Sequence, residues 1–108
     1  RAGILEAELA SIAQGIAMAG EGDLAYPPIV TVNGQTLHNH HHHNVLQEGQ
    51  MILADVGAEV KSVYASDITR TFPVSKTFTT KQREIYHIVL DAEERAHILC
   101  FSCTDWDT

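Results

Sequence analysis

Two apolar segments, each interrupted by a single acidic residue, constrain the fold of this chain more than any other feature. Residues 51–56, "MILADV", contain Asp55, and a second candidate strand over residues 63–71 contains Asp67. Apolar and β-branched residues predict β-strands for both segments. A carboxylate inside a buried strand costs several kcal/mol unless a partner compensates its charge. Any fold of this chain must therefore bring a partner to each aspartate.

The spacing of the two aspartates predicts that they face each other. If the two segments pair as a hairpin with its tip near Lys61, Asp55 lies directly opposite Asp67. Such cross-strand neighbours have Cβ atoms roughly 4.5 to 5.5 Å apart, and like charges at that distance are destabilising. A metal site would compensate them, since two ions about 3.5 to 4 Å apart can share a bridging carboxylate. Pairing with Lys61 or Arg70, or a turn capped by Asp67, are alternatives that spacing leaves open.

The remaining pattern predicts an α+β fold. Residues 3–19 form an amphipathic helix, because their large apolar residues recur at spacings of four, three and four: Leu5, Leu9, Ile12 and Ile16. The run "IVTV" at residues 29–32 predicts a strand. Thr79 and Gln82 form a capping box that begins a long second helix. We expect a small antiparallel sheet with flanking helices, one covering each end.

The composition of the chain excludes some classes of binding partner. The chain has 108 residues, which suffices for one domain, and a net charge of −7. That charge repels phosphate backbones and anionic membrane surfaces, so we expect no nucleic acid and no membrane as partners. Arg1 is not an initiator methionine, and residues 1–20 do not have the pattern of a signal peptide. We expect that the chain begins inside a longer product, and that Cys100 and Cys103 are reduced thiols.

Four stretches resemble one enzyme family. They are "AYPPIVTVNGQTLHNH", "LADVGAE", "YASDITRTFPV" and "FTTKQREIYHIVLDAEE". Together they are similar to the pita-bread-fold metallopeptidases, specifically Xaa-Pro aminopeptidases and prolidases, over roughly residues 1–97. The resemblance implies that residues 1–108 are a single unit, the N-terminal portion of a pita-bread catalytic domain whose downstream portion is absent.

The resemblance also implies roles for individual residues. Asp55 would be a terminal ligand of one metal ion, and Asp67 a carboxylate that bridges two ions. His38 would be catalytic, contacting the substrate and stabilising the tetrahedral intermediate, and Tyr26 would line the same substrate-binding pocket. The cofactors would be two divalent metal ions, Mn(II) in most such enzymes, with Co or Zn as alternatives. The step of twelve from Asp55 to Asp67 is longer than the eleven of many members, although the longer hairpin also occurs in the family.

The implied activity is that of a dinuclear metallo-aminopeptidase. A metal-bridged hydroxide would hydrolyse the bond before proline at peptide N-termini, so the partner is a peptide with proline in second position. The whole enzyme would be cytoplasmic and a homodimer. A further His and two Glu ligands are missing, since the sequence after Ala96 no longer follows the family, so we expect this chain alone to be inactive. Proline dipeptidase, a non-catalytic relative that binds peptides or proteins, and an inactive truncated product are the alternatives.

The histidine-rich stretch "HNHHHHN" at residues 38–44 has three possible explanations. It could be a purification tag, a chelating tract, or a loop of the substrate pocket. Four consecutive loop residues cannot all face one ion, whereas metal-binding helices use a spacing of four. The favoured interpretation makes His38 a site residue and places residues 40–43 in a solvated loop at the mouth of the pocket, where their titration near neutral pH would affect binding.

Overall fold

A computed structural model describes residues 1–102, with side chains as far as Cys100, so that Cys103 lies outside the described residues. The chain divides into two compact units, Arg1–Thr77 and the residues from Phe78 onward. The elements are α1 (Glu6–Ala19), β1 (Asp23–Leu24), β2 (Ile29–Thr31), β3 (Met51–Val56), β4 (Ala58–Glu59), β5 (Ile68–Pro73) and α2 (Thr80–Ser102).

The first unit contains two small antiparallel sheets. Strands β2, β3 and β5 form one sheet with β3 in the middle, and β1 pairs with β4 in the other. β2 is buried along its whole length, and β3 contributes the fully buried Ile52. Ile52 packs with Ala10, Val30, Leu46 and Val74 to form the core. The predicted α+β class is confirmed.

The predicted pairing of the two aspartates is wrong. Asp55 lies opposite Thr69, and β5 begins at Ile68 rather than at Val63. The chain leaves the larger sheet at Gly57, after which β4 pairs with β1. This detour shifts the register by two residues. Extending the side-chain alternation of β5 by one residue before its start would place Asp67 on the same face as Thr69, diagonal to Asp55.

Helix α1 is present but buries a different face from the one predicted. Ile12 and Ile16 are 56% and 70% exposed, whereas Glu6, Ala10 and Ala17 are buried. α1 packs against β1 and β2 through this face. The small alanines let the helix approach the sheet closely, and larger side chains would hold the two apart. The stripe of large apolar residues therefore lies mostly toward solvent in the described part of the chain.

Helix α2 begins at the predicted capping box. The Thr79 N–H donates to Gln82 Oε1 over 2.9 Å, and the Gln82 N–H donates to Thr79 Oγ1 over 3.2 Å. These two bonds satisfy N–H groups that a helix start leaves unpaired. Within residues 1–102, neither helix is both long and apolar enough to cross a membrane.

Candidate metal centre

Three elements bring Tyr26, Asp55 and Asp67 to one place. Asp55 lies near the end of the central strand β3 and is half-buried, and Asp67 is exposed immediately before β5. Tyr26 lies in a bend between β1 and β2, and Pro27 and Pro28 follow it. Since β2 pairs with β3, with Ile29 opposite Asp55, this segment delivers the Tyr26 ring to the end of β3.

The Tyr26 hydroxyl contacts both carboxylates. Its Oη is hydrogen-bonded to Asp55 Oδ1 and lies 2.8 Å from Asp67 Oδ1. Two hydrogen bonds that share one oxygen hold their acceptors within roughly 6 Å of each other. A phenol has a single proton to donate, while ionised carboxylates only accept. One of the two contacts therefore lacks a proton of its own, and the pair of negative charges is only partly compensated.

The alternatives to a metal do not hold in the structure. Lys61 Nζ pairs with Glu21 Oε2 at 2.8 Å, and Arg70 Nη1 donates to the Thr69 carbonyl oxygen. Among residues 1–102 no lysine, arginine or histidine forms an ion pair with either aspartate. In the described part of the chain Asp67 accepts a hydrogen bond from Tyr26 and caps no turn. The two carboxylates therefore converge with no cationic side chain from residues 1–102 paired to either.

The environment of Tyr26 raises the pKa of its hydroxyl above the ordinary tyrosine value. Burial is the largest cause, and the hydrogen bonds to Asp55 and Asp67 add to it. The raised pKa keeps the hydroxyl protonated, and therefore a hydrogen-bond donor to the aspartates, even at pH values where an ordinary tyrosine would ionise.

This shift predicts a pH-dependent stability. Because the folded-state pKa lies above the unfolded value of about 10, Tyr26 contributes its full stabilisation below pH 10, and that contribution is lost as the pH rises through the folded pKa. Urea unfolding from about pH 8 to pH 11 should show a decline in the free energy of unfolding that is shallower in Tyr26→Phe. An identical decline in both proteins would contradict the shift.

Gly57 makes the convergence possible. It is buried directly after β3, and a Cβ atom there would overlap the carbonyl oxygen of Ser66 and lie 2.7 Å from Tyr26 Cε1. Only glycine lets the backbone before Asp67 approach so closely. Sequence reasoning assigned Gly57 no role. The available indication was a glycine placed two residues after the acidic residue of an apolar strand.

His38 lies in the loop between β2 and β3, and among the described residues it forms no hydrogen bond with Tyr26, Asp55 or Asp67. His38 is exposed, has a positive φ of 52°, and makes no hydrogen bond within residues 1–102. Neighbouring imidazoles are held more firmly: His40 Nδ1 and His42 Nε2 lie 3.4 and 3.1 Å from the Pro28 carbonyl oxygen. The structure thus brings Tyr26 and the aspartates together and leaves His38 on the surface of the loop.

A cavity adjoins the candidate metal centre. It has a volume of about 620 Å³ and lies between α1 and residues 23–28, with Tyr26, Pro28 and His42 among its lining residues. This volume is in the range of small-molecule pockets, roughly 300 to 1,000 Å³. Tyr26 therefore has its hydroxyl at the aspartates and also lines a cavity.

The donor set fits part of a divalent metal site. The carboxylates of Asp55 and Asp67 are hard oxygen donors, which suit Mn²⁺ and similar cations. Residues 1–102 contain no group of three or more His, Cys, Asp or Glu side chains arranged to hold an ion. Asp55 and Asp67 can thus supply some of the ligands that such an ion needs.

Comparison with known proteins shows to which family the chain belongs. The sequence profile of metallopeptidase family M24 matches residues 1–107. The chain belongs to metallopeptidase family M24. Membership of a metallopeptidase family implies divalent metal cofactors. The chain is 42% identical over 87 residues to human Xaa-Pro aminopeptidase 3, and this match covers 79% of the chain and 17% of the relative. It is 46% identical over 74 residues to the Xaa-Pro aminopeptidase of Escherichia coli, covering 64% and 17%.

Solved structures of this M24 chain's relatives confirm the pita-bread fold. The X-Pro aminopeptidase of Thermotoga maritima MSB8 superposes with a TM-score of 0.79 at 29% identity, covering 89% of the chain and 27% of that protein. The prolidase of Pyrococcus furiosus gives 0.77 at 33% identity, covering 88% and 28%. The M24 chain spans less than a third of each of these relatives.

Proposed function

We propose that this M24 chain is part of the catalytic domain of a metal-dependent exopeptidase that hydrolyses the bond before proline at peptide N-termini. The observation that carries the proposal is the convergence of Asp55 and Asp67 on one hydroxyl, with no cationic side chain among residues 1–102 paired to either. The names of the human, Escherichia coli and Thermotoga maritima relatives support the substrate class.

The aspartates are proposed as metal ligands. Asp55 would be a ligand of one ion and Asp67 would be a ligand shared by two, with Mn(II) as the expected metal and Co or Zn as alternatives. When bound, the ions would polarise the scissile carbonyl and lower the pKa of water. Tyr26 keeps its proton and holds the two carboxylates in place with its hydroxyl. This arrangement preorganises the ligands before substrate arrives.

The peptide is proposed to bind on the side of the cavity lined by Tyr26. His38 contacts the substrate from its exposed position, and its imidazole can donate a hydrogen bond to the oxyanion that forms when the carbonyl is attacked. Its lack of a hydrogen-bond partner within residues 1–102 leaves the ring available for this role. His41 and His43 are exposed in the same loop, whereas half-buried His42 lines the cavity.

Proline dipeptidase is the second candidate. The structural similarity to the Pyrococcus furiosus prolidase favours it. A non-catalytic peptide-binding relative is less compatible with the retention of both aspartates. The single unit of residues 1–108, the homodimer and the cytoplasmic location remain expectations from the family resemblance.

A manganese titration followed by electron paramagnetic resonance tests the metal site. We expect weak binding by the isolated chain, because two carboxylates satisfy less than the octahedral coordination that such ions take. A spin-coupled signal would show that a second chain completes a dinuclear site. The absence of any Mn(II) binding would contradict the proposal.

Peptide hydrolysis separates the two candidate activities once the remaining metal ligands are supplied by a partner chain or by the rest of the domain. An aminopeptidase should release alanine from Ala-Pro-Ala and leave the dipeptide Ala-Pro nearly untouched, while a proline dipeptidase should do the reverse. Ala-Ala-Ala is the control for proline specificity. Equal cleavage of the control peptide would refute the assignment to Xaa-Pro bonds.

A further inference from the structure

Glu6 is a fully buried acidic residue with an unusual number of partners. It is 0% exposed at the first position of α1. Its Oε1 accepts from the Val32 N–H over 2.8 Å and from Asn44 Nδ2 over 3.1 Å. Its Oε2 accepts from the Asn44 N–H and from Asn44 Nδ2, both over 3.1 Å. In each of these hydrogen bonds Glu6 is the acceptor, so both oxygens of its carboxylate have partners. The N-terminus of a helix also favours a negative charge.

The donors to Glu6 belong to the two ends of one loop. Val32 directly follows β2, and Asn44 precedes the segment that leads into β3. Residues 33–43 lie between them and include His38 and the other imidazoles. One carboxylate therefore bridges the entrance and the exit of the histidine loop, which we define as residues 33–43.

The two ends differ in how else they are attached to α1. The exit is also held by the backbone: the Glu6 N–H donates to the Asn44 carbonyl oxygen over 3.0 Å, and the Leu46 N–H to that of Ile4 over 2.8 Å. At the entrance, the bond between α1 and Val32 is the one made by the Glu6 side chain. Loss of that carboxylate would therefore remove the side-chain link between α1 and the entrance, while the backbone bonds at the exit stay.

We propose that Glu6 is a positioning residue that closes the base of the histidine loop and thereby sets where His38 faces. A carboxylate can serve both backbone N–H groups at once, one with each oxygen. An amide has one acceptor oxygen and would turn its NH₂ group toward the other N–H. A buried N–H that loses its partner opens more readily to solvent. The charge of Glu6 is thus as necessary as its length.

Amide hydrogen exchange by NMR tests the proposal in Glu6→Gln. We expect the Val32 or the Asn44 amide to exchange at least about ten-fold faster, as the loss of a charged acceptor implies. The ring resonances of His38 should shift, while the amides of Leu53 and Thr71 stay within about two-fold. The matched control is Glu8→Gln, since Glu8 is an exposed carboxylate on the same helix that accepts from the Leu5 N–H. Unchanged exchange at Val32 and Asn44 in Glu6→Gln would overturn the proposal.

If Glu6→Gln does not fold, two further measurements test the role of Glu6 at the base of the histidine loop. In the unmodified chain, the Val32 amide should be protected at least about ten-fold over that of the exposed Leu37. In Asn44→Ala, which keeps both backbone donors, the Val32 amide should exchange faster than in the unmodified chain but remain protected. Exchange at Val32 as fast as at Leu37 in the unmodified chain would overturn the proposal.

The consequence for peptide binding rests on the proposed function. Glu6→Gln should weaken the binding of Ala-Pro-Ala about as much as His38→Ala does, with Mn(II) affinity unchanged within about two-fold because the aspartates are untouched. If the unmodified chain binds no peptide, the proposed function fails while the exchange data still decide the role of Glu6. A parallel loss of Mn(II) affinity would mean that Glu6 acts through the whole fold, and would refute a role specific to the loop.

Discussion

Asp67→Asn should lower the affinity of the chain for Mn(II) by at least about ten-fold, equivalent to about 1.4 kcal/mol. The substitution removes one of two converging negative charges and replaces a charged oxygen ligand with a neutral one. The fold should survive, because the asparagine oxygen can still accept from the Tyr26 hydroxyl and Asp67 is exposed. The manganese signal in electron paramagnetic resonance measures the free ion at each concentration.

Asp23→Asn is the matched control. Asp23 is an exposed strand aspartate whose Oδ1 accepts from the Leu24 N–H over 2.7 Å, and it contacts neither Asp55 nor Tyr26 by hydrogen bonds. The control removes the same net charge from the chain, so its effect reports long-range electrostatics alone. Equal losses of Mn(II) affinity in the two variants would show that the overall charge of −7 causes the binding, and would refute a specific site at Asp55 and Asp67.

Gly57→Ala should abolish Mn(II) binding although both aspartates remain. The new methyl group must displace the Ser66 carbonyl or the Tyr26 ring, and both movements separate Asp67 from Asp55. Overpacking of this kind typically costs about 1 to 3 kcal/mol, and more where backbone must move. Urea unfolding measures the loss of stability, and the manganese titration measures the loss of the site.

Gly15→Ala is a control that should change the free energy of unfolding in the opposite direction to Gly57→Ala. Gly15 is exposed inside α1, and a Cβ atom there would meet nothing within 4 Å. Alanine is the better helix former, so the free energy of unfolding should rise by about 0.5 to 1 kcal/mol. A Gly57→Ala protein with unchanged stability and full Mn(II) binding would show that the backbones of Gly57 and Ser66 are not in close contact.

The sequence predicted strands in the regions of β2, β3 and β5, but neither the short strands β1 and β4 nor the register of the pairing. Apolar composition identified β3 and the strand that contains Thr69 and Thr71. It could not identify the register, because the short pairing of β4 with β1 depends on a two-residue strand with no recognisable pattern. The expected direct pairing of Asp55 with Asp67 was replaced by a diagonal one joined through Tyr26.

The functions of Glu6 and Gly57 were missed for a physical reason. Periodicity weighs large apolar residues, so it selected Ile12 and Ile16 of α1, while the close contact with the sheet depends on small residues. A buried carboxylate looks like an ordinary acidic residue of a first helical turn. Its importance lies in backbone donors that are distant along the chain, at Val32 and Asn44, which no local pattern reveals.

The segment that leaves the larger sheet between β3 and β5 is where related chains can gain or lose residues. Residues 60–64 are all exposed and join β4 to the bridge at Ala65, beyond the point where Gly57 has left the larger sheet. Residues gained or lost at this tip would enlarge or shrink a solvent-exposed turn without altering the pairs that place Asp55 and Thr69. Related chains can therefore differ in the number of residues between their two aspartates and keep the same geometry, and the tip is a suitable place to insert an epitope or a fluorescent label.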